Sequence, residues 1–170
     1  MIALVAALAV AVALLATALV YATYGRRLIR PKPRTRRILV PFTGGQLDPM
    51  VLGAALRIAQ AEESTLVPAY LLVVPLEYSE DSVPSGAVGI AMPLLEAVEH
   101  AALRAGIPVD ARIETGRTPT HALSRLWEVE SFDRVIAPAP VANGGGFTPK
   151  DLTWILAHAP GETLVLKPGS

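Results

Sequence analysis

The sequence Arg37-Ile-Leu-Val-Pro-Phe-Thr-Gly-Gly-Gln46 has the composition of a buried strand followed by a tight turn. The apolar run over residues 38–40 is too short for a helix and suits a strand that is buried on both faces. Pro41 ends this run, the two glycines allow a sharp turn, and Asp48-Pro49 is a typical helix start. This order predicts the first unit of an α/β fold, in which ligands bind at the carboxyl ends of the strands.

The segment that precedes this strand is predicted to cross a membrane. Residues 1–25 carry no charge and are almost wholly apolar, and about 1.5 Å per residue makes them long enough to span a hydrocarbon core of roughly 30 Å. The alternative is a cleaved signal peptide. It is disfavoured because the segment has no positively charged start and its apolar run is longer than usual for a signal peptide. We therefore expect one transmembrane α-helix.

Residues 26–37 form a basic linker behind the predicted helix. They hold seven of the 15 basic residues and no acidic one. Positive charge after the span retains that side in the cytoplasm, so we expect a single-pass protein of the cell membrane with its N-terminus outside and residues 38–170 in the cytoplasm. Lipid headgroups are the expected partners of the linker, and Pro31 and Pro33 make it an extended spacer.

Small residues recur at intervals of four within the predicted span. Ala3, Ala7 and Ala11 form one such series, and Ala9 and Ala13 form another. Faces of this kind allow another transmembrane helix to pack closely, which predicts a membrane protein partner. The alternative is that alanine simply fills an apolar span.

The rest of the chain is acidic, although the formal net charge of the whole sequence is zero. Residues 38–170 hold the other 8 basic residues against all 15 acidic ones, which gives them a formal charge of −7. Such a domain is not suited to bind nucleic acid, since phosphate recognition needs a basic face. The absence of cysteine excludes disulfides, thiolate catalysis and cysteine-ligated zinc.

The apolar patterns downstream predict alternating strands and helices. The predicted helices cover residues 49–60, 93–105, 118 onwards and 148–157, and the predicted strands cover residues 65–74, 108–114, 135–137 and 163–166. Residues 75–91 and 138–147 are predicted loops. Alternation at this spacing implies a mostly parallel sheet with helices on both faces.

Two strands carry signs of their place in the sheet. Pro68 lies inside the second strand, where the missing N–H favours a bulge or an edge. Apolar and polar residues alternate over residues 108–114, which indicates one solvent-facing side and therefore a position towards an edge.

The sequence resembles the universal stress protein family over nearly all of residues 36–168. The matching segments are Ile38-Leu-Val-Pro41 with its glycine turn, Leu72-Val-Val-Pro75, Ala105-Gly-Ile-Pro-Val109, Glu114-Thr-Gly-Arg-Thr-Pro119, and His158-Ala-Pro160 before Leu164-Val-Leu166. The resemblance implies a five-stranded parallel Rossmann-like sheet and a homodimer, often formed through the last strand. Some members bind ATP in the crevice and others do not, and the family also occurs as a regulatory domain attached to membrane transporters.

The chain departs from the glycine pattern of the ATP-binding members, Gly-x2-Gly-x9-Gly-Ser/Thr after the fourth strand. Gly144, Gly145 and Gly146 have no glycine at the required offsets. Pro149-Lys150 occupies the Gly-Ser/Thr place, and proline has no N–H to offer a phosphate. The family's usual Asp after the first strand is Thr43, and prolines replace the glycine that ends strand four. A degenerate site implies no cofactor, or ATP bound weakly.

The residues that would line a nucleotide site lie in or beside the loops that follow the first and the fourth predicted strands. They are Pro41, Thr43, Gly44, Gly144, Gly145, Gly146, Thr148 and Lys150. The glycines would form a modified phosphate cradle, and Lys150 would attract an anion. The alternatives are a turn for the glycines, a helix cap for Thr148 and a solvated charge for Lys150.

The sequence contains no set of residues typical of catalysis. His100, His121 and His158 lack the spacing of metal ligands, and the serines lack the glycines of a nucleophile elbow. We therefore predict a membrane-anchored binding or regulatory module with universal-stress-protein character, not an enzyme. The alternatives are an accessory subunit of a transporter or energy-converting membrane complex, and a weak ATP-binding sensor.

Overall fold

A computed structural model describes residues 35–45, 47–79, 85–140 and 146–167. Its elements, in chain order, are β1 (Arg37–Phe42), α1 (Pro49–Ala61), β2 (Thr65–Val73), α2 (Ser85–Arg104), β3 (Arg112–Gly116), α3 (Pro119–Val129), β4 (Arg134–Pro138), α4 (Pro149–His158) and β5 (Glu162–Leu166). All strand pairs are parallel, in the order β3-β2-β1-β4-β5. The predicted five-stranded parallel α/β sheet is thereby confirmed.

The predicted span over residues 1–25 and the linker up to residue 34 lie outside the described residues. Within the part of the chain that the structure describes, no helix combines the length and apolar character needed to cross a membrane. The membrane anchor therefore stays a prediction.

β1 lies at the centre of the sheet and is buried on both faces, as its apolar run predicts. Leu39 packs with α3 and α4 residues in one core cluster, and Ile38 and Val40 pack with α1 and α2 residues in another. All three side chains are fully buried. Helices on both sides of the sheet thus share β1 as their common support.

The helix after β2 begins earlier than predicted. Residues 85–91 belong to α2, and Pro93 lies inside the helix instead of starting it. The glycines of this segment favour a loop, but Ala91 is fully buried in a cluster with Phe42 and Tyr70. Burial of this residue favours the helix and outweighs the local propensity.

The third strand is displaced from its predicted position of 108–114. Val109 forms an isolated bridge with Leu66, and the continuous ladder begins only with Ala69 opposite Arg112. The interruption coincides with Pro68, which has no N–H for this ladder. The predicted bulge or edge at Pro68 is therefore wrong, because β2 pairs on both sides and keeps the same register across the gap. The predicted edge position of the third strand is confirmed.

Two groups of ion pairs lie at the amino-terminal ends of the strands. One joins Arg37 and Arg112 to Asp110 and Glu130, with Arg37 Nη2 at 3.0 Å from Asp110 and 2.6 Å from Glu130. The other joins Arg134 to Glu62 and Glu162. These carboxylates raise the pKa of Arg134, and its hydrogen bond with Glu162 contributes most to this effect.

Candidate functional site at the carboxyl edge of the sheet

The sheet opens between β1 and β4. At this pair the strand order reverses, because β2 and β3 extend the sheet on one side of β1, whereas β4 and β5 extend it on the other. Their register ends at Leu39 opposite Val135, whereas β1 stays paired with β2 as far as Phe42. A reversal of this kind is where ligands bind in open α/β sheets. We call this gap and the loops around it the carboxyl-edge crevice.

Prolines account for the opening. Asp133 N–H donates to the carbonyl of Arg37, so alternate residues from Arg37 to Pro41 turn their backbone towards β4. Ala139 N–H donates to Leu166 on the opposite side, so the preceding Pro138 faces β1. At both positions the N–H that would continue the ladder is missing, and the two strands separate.

The residues predicted from the first loop lie at the crevice. Pro41 is buried, and Thr43 and Gly44 are half-buried directly after β1. Gly44 has a φ of 83°, a left-handed conformation that favours glycine and turns the chain towards α1. The prediction that the glycines permit a sharp turn is confirmed, whereas ligand contact by these three residues stays a prediction.

The second loop is described only in part. Gly144 and Gly145 lie outside the described residues, and Gly146 is half-buried with a φ of 123°. Phe147, which follows, is 4% exposed and packs in the α3–α4 side of the core, where it holds the start of α4 in place.

The predicted cap at Thr148 is confirmed, and its side chain is fully engaged in it. Thr148 Oγ1 accepts from Asp151 N–H at 3.2 Å and donates to Asp151 Oδ2 at 2.7 Å, while Thr148 N–H donates to the same oxygen at 2.9 Å. Lys150 is exposed in this first turn, and its N–H is the donor that the capping box does not use.

The start of α1 is closed in a similar way. Asp48 Oδ1 accepts from Met50 N–H at 2.8 Å and from Val51 N–H at 3.2 Å, and Pro49 provides no N–H at all. The sequence reasoning identified both helix starts but did not weigh these two carboxylates as part of the site. The signals were present as Asp-Pro at the start of α1 and Thr-x-x-Asp at the start of α4.

The chemistry of the crevice therefore differs from that of a phosphate site. A helix N-terminus attracts anions through free N–H groups and the positive end of its dipole. At α1 the Asp48 carboxylate occupies two of these donors, and at α4 the Thr148 hydroxyl occupies one. Asp48 and Asp151 also place one negative charge at each helix start, and Pro49 and Pro149 each remove a donor. The arrangement opposes the binding of a multiply charged phosphate.

A further contact fixes the segment after β2. Arg117 Nη1 donates to the carbonyls of Val74 and Pro75 at 3.2 and 2.5 Å, so the start of the loop is attached to the end of β3. Next to it, Gly116 is buried so closely against α3 that an added Cβ would lie 2.5 Å from Ala122 N. Both residues belong to the Glu114–Pro119 segment that carries part of the family resemblance.

Two tryptophans, one on each helix, stack between α3 and α4. The Trp127 and Trp154 rings are stacked with centroids 5.1 Å apart, and His158 stacks on Trp154 at 4.7 Å. Both tryptophans are partly buried and pack against the core. Among the described residues, no group of three or more potential ligands could hold a metal ion.

The fold is that of solved universal stress proteins. A family protein from Burkholderia pseudomallei superposes with a TM-score of 0.57 at 20% identity, over 82% of this chain and 100% of that chain. A universal stress protein in complex with cAMP gives 0.58 at 16% identity, over 79% and 98%. The Archaeoglobus fulgidus protein in complex with dAMP gives 0.56 at 12% identity, over 76% and 96%.

Neither the protein-family models nor the curated proteins contain a match to the sequence. Identities of this size show a common fold and no more, so the ligand of this chain has to be argued from its own residues.

Proposed function

We propose that residues 38–170 form a binding or regulatory module with universal-stress-protein character that performs no catalysis, and that the apolar segment 1–25 holds it on the cytoplasmic face of the cell membrane. The observation that carries the proposal is the state of the crevice, where Asp48 caps α1, the Thr148–Asp151 capping box closes α4, and a carboxylate lies at each helix start. The fold supports a binding role, and the carboxylates oppose the triphosphate grip that would make it an ATP-dependent protein.

The experiment uses the full chain, purified in mild detergent. It compares nucleotide binding by the wild type with that by a variant in which the two carboxylates at the helix starts are neutralised. Thermal unfolding is recorded with and without millimolar ATP–Mg²⁺, AMP and cAMP. We expect shifts below about 1 °C for the wild type, because a ligand stabilises the native state appreciably only when its concentration approaches or exceeds Kd. A wild-type shift of several degrees with ATP–Mg²⁺ would overturn the proposal.

The matched variant carries Asp48→Asn and Asp151→Asn. Asparagine is also a good N-cap, so the substitution at Asp48 retains an acceptor for the helix and removes the charge. If the carboxylates exclude phosphate, this variant binds the nucleotides more tightly than the wild type. Equal shifts for both proteins would show that the charges do not determine binding.

A second candidate function is that of an accessory subunit of a membrane complex. It is favoured by the alanines at intervals of four in the apolar segment, which suit close packing of another helix. Purification in mild detergent would then yield a stoichiometric set of membrane subunits. Ala7→Leu should reduce their recovery, whereas Val12→Leu, on the other side of the predicted helix from Ala7, should not.

The third candidate, a weak ATP-binding sensor, is supported only by the ligands of proteins with the same fold, which include cAMP and dAMP. The thermal-shift experiment separates it from the first proposal.

A further inference from the structure

The sheet has an open edge at β3. Asp110 N–H donates to Leu66, and Gly116 accepts from Val74 N–H, so the even-numbered residues of this segment turn their backbone towards β2. The backbone groups of Ala111, Ile113 and Thr115 consequently point outward, because successive residues of a strand alternate. β3 is the terminal strand of the described sheet, so its outer side is available for pairing.

A groove follows this edge on the side of α2. It consists of two hollows of about 540 and 180 Å³, which share Glu96 and Glu99 as lining residues. The other lining residues near the edge strand are Met92, Leu95, His100, Leu103, Val109, Ala111 and Ile113. We call this feature the α2–β3 groove.

The floor of the groove is apolar and partly uncovered. Met92 and Leu103 are 43% and 75% exposed, and Ala111 and Ile113 are half-buried against the α2 side of the core. An extended segment alongside β3 would cover these side chains with every second residue of its own.

The exposed charges of the groove are acidic. Glu96 and Glu99 are exposed on α2 and border both hollows. Arg112 also lines the smaller hollow, but its Nη2 lies 3.0 Å from both Asp110 and Glu130, so its charge is already compensated. The groove thus combines an apolar floor with a negative rim.

We propose that the α2–β3 groove is the docking site for an extended basic segment of a partner protein, which adds to β3 as a further strand. Its backbone pairs with the outward groups of Ala111 and Ile113, and its lysine or arginine side chains reach Glu96 and Glu99. Strand addition of this kind derives affinity from main-chain hydrogen bonds and specificity from alternate side chains. The formal charge of −7 on residues 38–170 also favours a basic partner.

A second copy of the chain fits the same groove less well. A two-fold contact uses the same patch on both subunits, so it would bring the Glu96 and Glu99 side chains of one copy towards those of the other. Like charges oppose this arrangement and complementary charges favour the basic partner. The proposal concerns a surface separate from the crevice, so its test is independent of nucleotide binding.

The test uses a display library of random 12-residue peptides and the full chain in mild detergent. We expect enrichment of peptides with lysine or arginine at alternate positions, and binding of a synthetic representative that weakens at least tenfold when its alternate amides are N-methylated. Enrichment without basic residues, or affinity insensitive to N-methylation, would overturn the proposal.

Two protein variants locate the peptide on the groove. Ala111→Pro removes an outward N–H and leaves the β2 side of the ladder intact, and Glu96→Lys with Glu99→Lys reverses the charge of the rim. Each should weaken peptide binding at least tenfold, whereas Glu128→Lys on α3 should leave it unchanged. If Ala111→Pro fails to fold, the N-methylated peptide still tests the main-chain pairing, and the Glu96→Lys, Glu99→Lys variant still tests the acidic rim.

Sedimentation tests the alternative occupant. We expect Ala111→Pro to leave the oligomeric state of the chain unchanged. A wild-type dimer that dissociates in this variant would assign the groove to a second copy and overturn the proposal.

Discussion

Asp151 Oδ2 accepts two hydrogen bonds from Thr148, one from its backbone N–H at 2.9 Å and one from its hydroxyl at 2.7 Å. The hydroxyl in turn accepts from Asp151 N–H, so the two residues close the first turn of α4 on themselves. The start of this helix is therefore organised for stability, in a place where a phosphate site would need open donors.

Thr148→Ala should lower the free energy of unfolding by about 1 kcal/mol, since it removes the capping hydroxyl. Urea unfolding of the full chain in mild detergent measures the change. Thr153→Ala is the control, because Thr153 is exposed within the same helix and its hydroxyl bonds only back to Pro149. Equal effects of the two substitutions would contradict the capping role.

Gly116→Ala should destabilise the fold by about 1–3 kcal/mol, as expected for an added atom in a packed site. Its Cβ would lie 2.5 Å from Ala122 N and 2.9 Å from Ala122 Cα, both backbone atoms of α3. Gly45→Ala serves as control because an added Cβ there meets nothing within 4 Å. Thermal unfolding compares the two, and a neutral Gly116→Ala would show that α3 can move away from β3.

Arg37→Ala and Arg36→Ala should differ in effect although the residues are neighbours. Arg37 pairs with Asp110 and Glu130 in a half-buried position, and its loss should cost about 2 kcal/mol. Arg36 is 61% exposed and lies 3.5 Å from Glu62, so its loss should change stability by less than about 0.5 kcal/mol. Urea unfolding measures the free energy of unfolding of both variants. A similar decrease in the two would contradict the prediction.

Glu114→Gln should stabilise the protein at pH 7 and have little effect near pH 4. Burial raises the pKa of the Glu114 carboxyl from its ordinary value of 4.5, against the lowering effect of Arg112 and Arg125. As the pH rises, Glu114 therefore ionises in the unfolded state before it ionises in the folded state. The wild type loses stability over this range, until the pH passes the pKa of Glu114 in the folded state.

The measurement for Glu114 is the difference in unfolding free energy between variant and wild type at several pH values. This difference should grow from pH 4 to pH 7. A Glu114→Gln variant that is less stable than the wild type at pH 7 would reverse the assigned direction.

Local patterns in the sequence were sufficient for most of the fold. The apolar run at residues 38–40 predicted a central buried strand, and Thr118-Pro119 and Thr148-Pro149 predicted helix starts that the structure confirms. The early start of α2 could not be predicted in this way. It depends on the burial of Ala91 against β1 and β2, which is a non-local contact.

The candidate sites were predictable to different degrees. The loops of the carboxyl-edge crevice follow from glycines and prolines after buried strands, but their electrostatic character depends on how Asp48 and Asp151 turn back onto the helix starts. The α2–β3 groove has no local signature at all. It exists because Glu96 on α2 and Ile113 on β3 are brought together only by the packing of the helix beside the edge strand.

The seam between β1 and β4 also bears on the order in which the protein folds. Arg37 pairs with Thr65, only 28 positions along the chain, whereas its hydrogen bond with Asp133 spans 96 positions. Contacts between distant positions form slowly because a long loop must close first. During synthesis β1 and β2 therefore leave the ribosome well before β4 exists, and the carboxyl-edge crevice can be completed only when most of the last third of the chain has been made.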